Sequence, residues 1–167
     1  MTTHHHHDHH PGQHHPGGGN GEEDMAELLD LDAEVLHAYL SDVIDWVGGL
    51  AAGQPRRIAD LGAGTGTGTL ALLRHFGKAK AVAVDVSAAM LDRLQVKARE
   101  LGVADRIRTV QADLDAGWPD IGPVDLAWAC SSVHHLADPD RVLAQVFAAL
   151  QPGGLLAVAE MDSFPRF

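Results

Sequence analysis

Residues 59–70 form a glycine-rich stretch that reads ADLGAGTGTGTL. It follows a short apolar run, and the residues after it recur with helical spacing. Glycine permits a tight turn and lets another group approach the backbone closely. The free N–H groups at the start of the following helix favour a nucleotide-like ligand. The stretch therefore predicts a strand, a binding turn and a helix in direct succession.

Beyond Pro55, short apolar segments alternate with segments of helical spacing. Ser87 is placed to cap one helix, and Asp138-Pro139 is placed to begin another. Such alternation, with continuously apolar strands, is typical of a parallel sheet covered by helices on both faces. We therefore predict an α/β, doubly wound, Rossmann-like fold with strands at 57–61, 81–85, 106–110, 125–129 and 154–160 and helices at 67–76, 87–101 and 138–150.

The first residues differ in composition from the rest of the chain. Residues 1–24 are rich in Gly, Pro and His, and contain eight of the 12 histidines (His4, His5, His6, His7, His9, His10, His14 and His15). A segment with so few apolar side chains cannot offset its ordering entropy by burial, so we expect a disordered tail. Imidazoles bind transition metals, but we expect this binding to be incidental and assign no metal site.

A helical pattern follows the tail. We predict an N-terminal helical cap at 25–53, with its helix over 25–47, and a main domain at 54–167. Gly48 and Gly49 favour a stop. The apolar periodicity predicts that Tyr39, Val43 and Trp46 form a stripe in the core.

Composition excludes several classes of protein. The net charge of -11 argues against a nucleic acid as the main partner. No apolar run is long enough to span a membrane, and the N-terminus has no secretory signal. The single cysteine, Cys130, excludes a disulfide framework and suits a reducing compartment, so we expect a cytoplasmic protein.

The spacing of the glycines narrows the choice of ligand. The dinucleotide fingerprint G-x-G-x-x-G requires a third glycine where this chain has Thr67 or Thr69. The loop also lacks the lysine of a phosphate-binding P-loop. An NAD-dependent oxidoreductase remains an alternative, but the spacing disfavours it.

The residues 60–66 (DLGAGTG) resemble the first motif of class I S-adenosylmethionine-dependent methyltransferases. The resemblance extends over about 35–160, and residues 150–160 (LQPGGLLAVAE) are similar to the fifth-strand region of the type-11/12 methyltransferase domains. It implies that Asp85 binds the ribose hydroxyls, that Asp113 contacts the adenine amino group and that Leu114 flanks the ring. It also offers an alternative to the core stripe, in which the N-terminal helix with His37 and Tyr39 folds over the cofactor and helps to close the site. The implied cofactor-binding residues are Asp60, Gly62, Ala63, Gly64, Gly66, Asp85, Val86, Met90, Asp113, Leu114 and Ala129.

The resemblance also sets expectations for the sheet. It implies the strand order 3-2-1-4-5, whereas the family's sheet normally has two further strands that this sequence lacks. We therefore expect the exposed edge to be covered either by a second copy in a homodimer or by a missing C-terminal segment.

The implied activity is methyl transfer from S-adenosyl-L-methionine to a small-molecule acceptor by direct in-line displacement. His134 and His135 follow the fourth predicted strand and are the candidate general bases. Cys130 is interpreted as a small apolar filler. Two alternatives from other classes remain: a non-catalytic S-adenosylmethionine-binding or regulatory protein, and a metal-handling protein organised around the His-rich tail.

Overall fold

The structure, a computed structural model, describes residues 19–35, 37–51 and 53–160. Within these ranges the chain forms one five-stranded parallel sheet in the order β3-β2-β1-β4-β5. The predicted fold class and strand order are confirmed. The strands are β1 (Arg57–Leu61), β2 (Lys80–Asp85), β3 (Ile107–Gln111), β4 (Val124–Cys130) and β5 (Leu150–Ala159).

Five α-helices accompany the sheet in the described residues. They are α1 (Gly19–Val35), α2 (His37–Leu50), α3 (Thr67–His75), α4 (Ala88–Glu100) and α5 (Pro139–Ala149). The predicted N-caps of α4 and α5 are present: Ser87 Oγ accepts a hydrogen bond from the Met90 N–H, and Asp138 Oδ1 accepts one from the Arg141 N–H. None of the described helices is long and apolar enough to cross a membrane.

The N-terminal helices depart from the prediction. The expected disorder of residues 1–24 is wrong for 19–24, which belong to α1, while 1–18 lie outside the described residues. Two features explain why the helix begins earlier than predicted. The acidic residues near its N-terminus are favoured by the helix dipole, and Ala26 is buried. The predicted helix over 25–47 falls on α1 and α2, which flank Leu36; Leu36 lies outside the described residues.

Gly48 does not end its helix, contrary to prediction. Helix α2 continues to Leu50, and a Cβ built on Gly48 would lie 2.7 Å from His75 Nε2. The missing side chain therefore lets α2 approach the end of α3 closely, and packing outweighs helix propensity.

The last strand is also longer than predicted. It begins at Leu150, and its pairing with β4 shifts register, so that Val124 faces Leu150 and Leu126 faces Leu155. The extra residues of β5 form a bulge that includes Gly153, whose φ is +80°. Bulges of this kind are a normal feature of strands near a sheet edge.

Two layers of core cover the sheet, and neighbouring residues of each strand face opposite layers. On one face, Ile58 and Leu126 pack against Leu72 of α3 and Leu94 of α4. On the other face, Ala59, Leu61 and Val84 pack with Val142 and Val146 of α5. The sheet thereby holds the carboxyl ends of its strands in one fixed row.

Arg106 joins α3 to the start of β2. Its Nε donates to the Ala79 carbonyl at 2.9 Å, and its Nη2 donates to the carbonyls of Leu73 and Phe76 at 3.1 and 2.9 Å. We predict that Arg106→Ala lowers the free energy of unfolding by about 2–4 kcal/mol, because three part-buried carbonyls lose a charged donor. Urea unfolding measures this, with the exposed Arg99→Ala as control; equal midpoints for the two variants would contradict it.

Candidate cofactor site

A cavity of about 650 Å³ lies at the carboxyl ends of the central strands. Its walls come from the glycine loop after β1, the ends of β2 and β4, the loop after β3, and residues of α1 and α2. This is the position at which open α/β sheets bind ligands. Of the eleven predicted cofactor-binding residues, ten line the cavity: Asp60, Gly62, Ala63, Gly64, Asp85, Val86, Met90, Asp113, Leu114 and Ala129.

The eleventh, Gly66, lies behind the cavity wall and not in it. It occupies the left-handed region with a φ of +89°, and a Cβ there would lie 2.1 Å from Leu94 Cδ1. Gly66 therefore lets the loop turn into α3 while α4 packs against it. Its contribution to the site is the shape of the loop.

The second constrained glycine is Gly62. Its φ is +73°, and a Cβ there would lie 2.4 Å from Ser132 Cβ. Ser132 Oγ donates to the Leu61 carbonyl at 2.7 Å, so the residues after β4 pack directly against the end of β1. The two loops form one continuous cavity wall.

Asp85 links the glycine loop to the end of β2. Its Oδ2 accepts a hydrogen bond from the Gly64 N–H at 2.8 Å, and its Oδ1 accepts one from the Ser87 N–H at 2.9 Å. Each carboxylate oxygen has a second lone pair, so Asp85 retains capacity for ligand hydroxyls. The two hydrogen bonds from the backbone hold the Asp85 carboxylate in one orientation, and so orient its remaining lone pairs.

Asp60 lies beneath the loop and is 2% exposed. Thr69 Oγ1 donates to its Oδ2 at 2.5 Å. Burial raises the pKa of Asp60 to about 6, and the negative charge of Asp85 adds to the effect while the Thr69 hydrogen bonds oppose it. Nearby, the Trp128 Nε1–H is buried in the cavity floor and has no hydrogen-bond partner among the described residues.

Asp113 and Leu114 occupy the far end of the cavity, after β3. Asp113 Oδ1 accepts the Asp115 N–H at 2.8 Å, and the Asp115 carboxylate accepts the N–H groups of Ala137 and Asp138 at 2.9 and 3.2 Å. The turn that carries Asp113 is therefore fixed to the start of α5.

Helix α1 covers the glycine loop through one carboxylate that sequence reasoning did not find. Asp30 Oδ1 accepts the Thr65 hydroxyl at 2.6 Å and also binds Lys97 Nζ from α4. Burial alone would raise the pKa of Asp30, but the Lys97 and Thr65 hydrogen bonds and the charges of Lys97 and Arg93 outweigh it and lower the pKa. Asp30 is 35 residues from Thr65 and 67 from Lys97, so no local pattern marks this contact.

The expected core stripe on α2 is wrong for two of its three members. Tyr39 is 50% exposed and lines the cavity, and Trp46 is 66% exposed. Val43 is the member that packs against the core. The apolar periodicity of α2 is shared between core and cavity, because the helix lies at the rim of the site.

The two candidate bases have different neighbours, although their rings touch each other. His135 lines the cavity, whereas His134 pairs with Glu160, with 2.7 Å between Nδ1 and Oε2. The two imidazole rings are in contact, with centroids 3.9 Å apart. Cys130 also lines the cavity, and burial raises the pKa of its thiol, which does not favour a nucleophilic thiolate.

The geometry of Gly66 yields a prediction for folding. We predict that Gly66→Ala destabilises the domain by about 2–5 kcal/mol, from left-handed strain and from overlap with Leu94. Thermal or urea unfolding measures this. Gly77→Ala is the matched control, because its site is open and its φ is not positive, and it should leave stability nearly unchanged.

The buried carboxyl of Asp60 yields a prediction for pH. A pKa raised from 3.8 to about 6 means that the folded state holds this proton more tightly than the unfolded state. The protonated carboxyl of Asp60 therefore adds to the free energy of unfolding. This contribution, on the order of 3 kcal/mol, is fully present below about pH 4 and is lost as the pH rises through about 6.

Asp60→Asn removes this titration. The stability of the variant relative to wild type should therefore increase between pH 4 and pH 7, as measured by urea unfolding at each pH. The exposed Asp92→Asn serves as control and should show a constant difference. A constant difference for Asp60→Asn as well would contradict the prediction.

Comparison with known proteins agrees with this geometry. Residues 58–154 match the model of a family described as "Methyltransferase domain". The trans-aconitate 2-methyltransferase of Azoarcus sp. (strain BH72) is 37% identical over 101 residues, which are 60% of this chain and 37% of that protein. The ubiquinone/menaquinone biosynthesis C-methyltransferase of Psychromonas ingrahamii is 32% identical over 117 residues, 69% of this chain and 45% of that protein.

Solved structures show the same likeness. The crystal structure of an S-adenosylmethionine-dependent methyltransferase from Clostridium acetobutylicum ATCC 824 superposes with a TM-score of 0.69 at 25% identity, and the match covers 83% of this chain and 57% of that one. The chain spans between 25% and 45% of the length of the curated relatives it matches. The matched model, the relatives and the shared fold lead to one conclusion: the chain belongs to the S-adenosylmethionine-dependent methyltransferase family.

Proposed function

We propose that this domain binds S-adenosyl-L-methionine in the 650 Å³ cavity and transfers its methyl group to a small-molecule acceptor. The observation that carries the proposal is the placement of Asp60, Asp85 and Asp113, which lie near the carboxyl ends of three neighbouring parallel strands and line one cavity. A cavity of this size suits a single small ligand. Its carboxylates suit a cationic sulfonium better than a pyrophosphate, since like charges repel.

The described residues fit parts of this cofactor. Asp85 keeps free lone pairs for two ribose hydroxyls after its bonds to Gly64 and Ser87. Asp113 is proposed for the adenine amino group and Leu114 for the ring face. The unpartnered Trp128 Nε1–H offers a buried donor to the same ligand.

The bound cofactor supplies an electrophilic methyl group on a sulfonium. The chain's own contribution to the reaction is proximity and alignment, because the glycine loop, α1 and the residues after β4 enclose one volume. His135 is proposed as the base that accepts a proton from an acceptor hydroxyl, since it lines the cavity. His134 is not proposed as the base, because it pairs with Glu160 and does not line the cavity.

The cellular setting and assembly are part of the proposal. The relatives named above are called after trans-aconitate and after ubiquinone/menaquinone biosynthesis, which supports a small-molecule acceptor. We propose a cytoplasmic protein in which residues 25–53 cap the cofactor domain at 54–167. The edge of β5, where Val158 is 46% exposed, is proposed to be covered by a second copy or by a further C-terminal segment.

Calorimetric titration tests the cofactor directly. We predict micromolar binding of S-adenosylmethionine and S-adenosylhomocysteine and much weaker binding of NAD. Asp85→Ala should weaken the first two at least tenfold, because charged hydrogen bonds worth about 1.5–3 kcal/mol are lost.

Asp92→Ala is the matched control and should bind like wild type, because Asp92 is exposed on α4 and away from the cavity. Tighter binding of NAD than of S-adenosylhomocysteine would favour an oxidoreductase. Absence of binding by all three would contradict the proposed function.

A further inference from the structure

The residues between β4 and α5 adopt a backbone that needs support. Ser131 has a φ of +51°, the one positive value outside glycine among the described residues. A residue other than glycine rarely adopts such a conformation unless its surroundings enforce it. The strained residue directly precedes Ser132 and Val133, which line the cavity.

The support comes from the end of β5. The Ser131 N–H donates to the Ala159 carbonyl at 2.8 Å. Glu160 Oε1 accepts the N–H groups of Ser132 and Val133 at 3.0 and 2.7 Å. One carboxylate oxygen thus satisfies two successive backbone donors immediately after the strained residue.

The second oxygen of the same carboxylate holds a side chain. Glu160 Oε2 lies 2.7 Å from His134 Nδ1. Burial alone would raise the pKa of Glu160, but the hydrogen bonds from His134, Val133 and Ser132 outweigh it and lower the pKa. The group is therefore ionised at neutral pH, which makes each of these hydrogen bonds charge-assisted.

These contacts give His134 and His135 different surroundings. His134 is turned to Glu160, so its neighbour His135 is the one at the cavity wall. The same loop presses Ser132 against the glycine loop at Gly62. A shift of the loop after β4 would therefore move both His135 and the part of the cavity wall at Gly62.

We infer that Glu160 is a positioning residue: it holds the loop after β4 in its strained form, and so sets His135 and the cavity wall at Gly62. Its consequence for catalysis rests on the proposed function. Glu160 lies beyond residues 58–154, which match the family model, and it lines the cavity itself. The amides of Ser132 and Val133 therefore report its hold on the loop separately from any direct contact between Glu160 and a ligand.

The test uses the full 167-residue chain labelled with ¹⁵N, and S-adenosylhomocysteine as the probe. The variants are Glu160→Ala, Glu160→Gln and His134→Ala, with the exposed Glu100→Ala as matched control. NMR records the amides of Ser132 and Val133 and the His134 ring nitrogens. Calorimetry records the affinity for S-adenosylhomocysteine.

Glu160→Ala should shift both amides strongly and weaken binding about tenfold, the loss of roughly one charged hydrogen bond's stabilisation. Glu160→Gln keeps an oxygen for the two amides, so their shifts and the affinity should stay near wild type while the His134 ring signal changes. His134→Ala should leave the amides in place. Glu100→Ala should change neither measurement.

Unmoved amides in Glu160→Ala would overturn the inference, and so would moved amides with unchanged affinity. Equal spectra for Glu160→Gln and wild type, including the His134 ring, would show that Glu160 does not hold His134. If wild type itself fails to bind S-adenosylhomocysteine, the proposed function fails, and the amide shifts alone decide whether Glu160 holds the loop.

Discussion

The site depends on close packing around the turn that follows β1. Leu94 of α4 approaches this turn from one side, and Ser132, after β4, approaches it from the other. Both contacts require positions without a side chain, at Gly66 and Gly62. Because protein interiors do not deform continuously, these contacts fix the turn relative to β4 and α4. The carboxylate of Asp85 then joins the turn to β2 through the Gly64 N–H.

Local signals in the sequence predicted most of the sheet. The first strand was predicted within its observed bounds, and Ser87 and Asp138 cap the helices they were expected to cap. The errors have a common cause in tertiary packing. Gly48 looks like a helix stop but is a contact with His75. Leu150 lies before the predicted fifth strand but pairs with Val124 of β4, ahead of a shift in register.

The site was predictable only where topology alone brings residues together. Asp85 and Asp113 follow neighbouring parallel strands, so their common placement follows from the strand order. The contacts of Asp30 with Thr65 and of Glu160 with Val133 join positions far apart in sequence. No periodicity or motif encodes such pairs, and Tyr39 likewise carries a core-like spacing although it lines the cavity.

The hydrogen bond between Asp30 and Thr65 connects the docking of α1 with the conformation of the glycine loop. Thr65 lies in the glycine loop and lines the cavity. Lys97 binds both the Asp30 carboxylate and the Thr65 carbonyl. A ligand that favours the observed conformation of this loop would therefore also favour the docked helix. By reciprocity, the factor by which ligand binding strengthens the docking of α1 equals the factor by which a docked α1 strengthens ligand binding. Asp30 thus connects the N-terminal helix to Thr65 of the cavity wall, although Asp30 itself lies outside that wall.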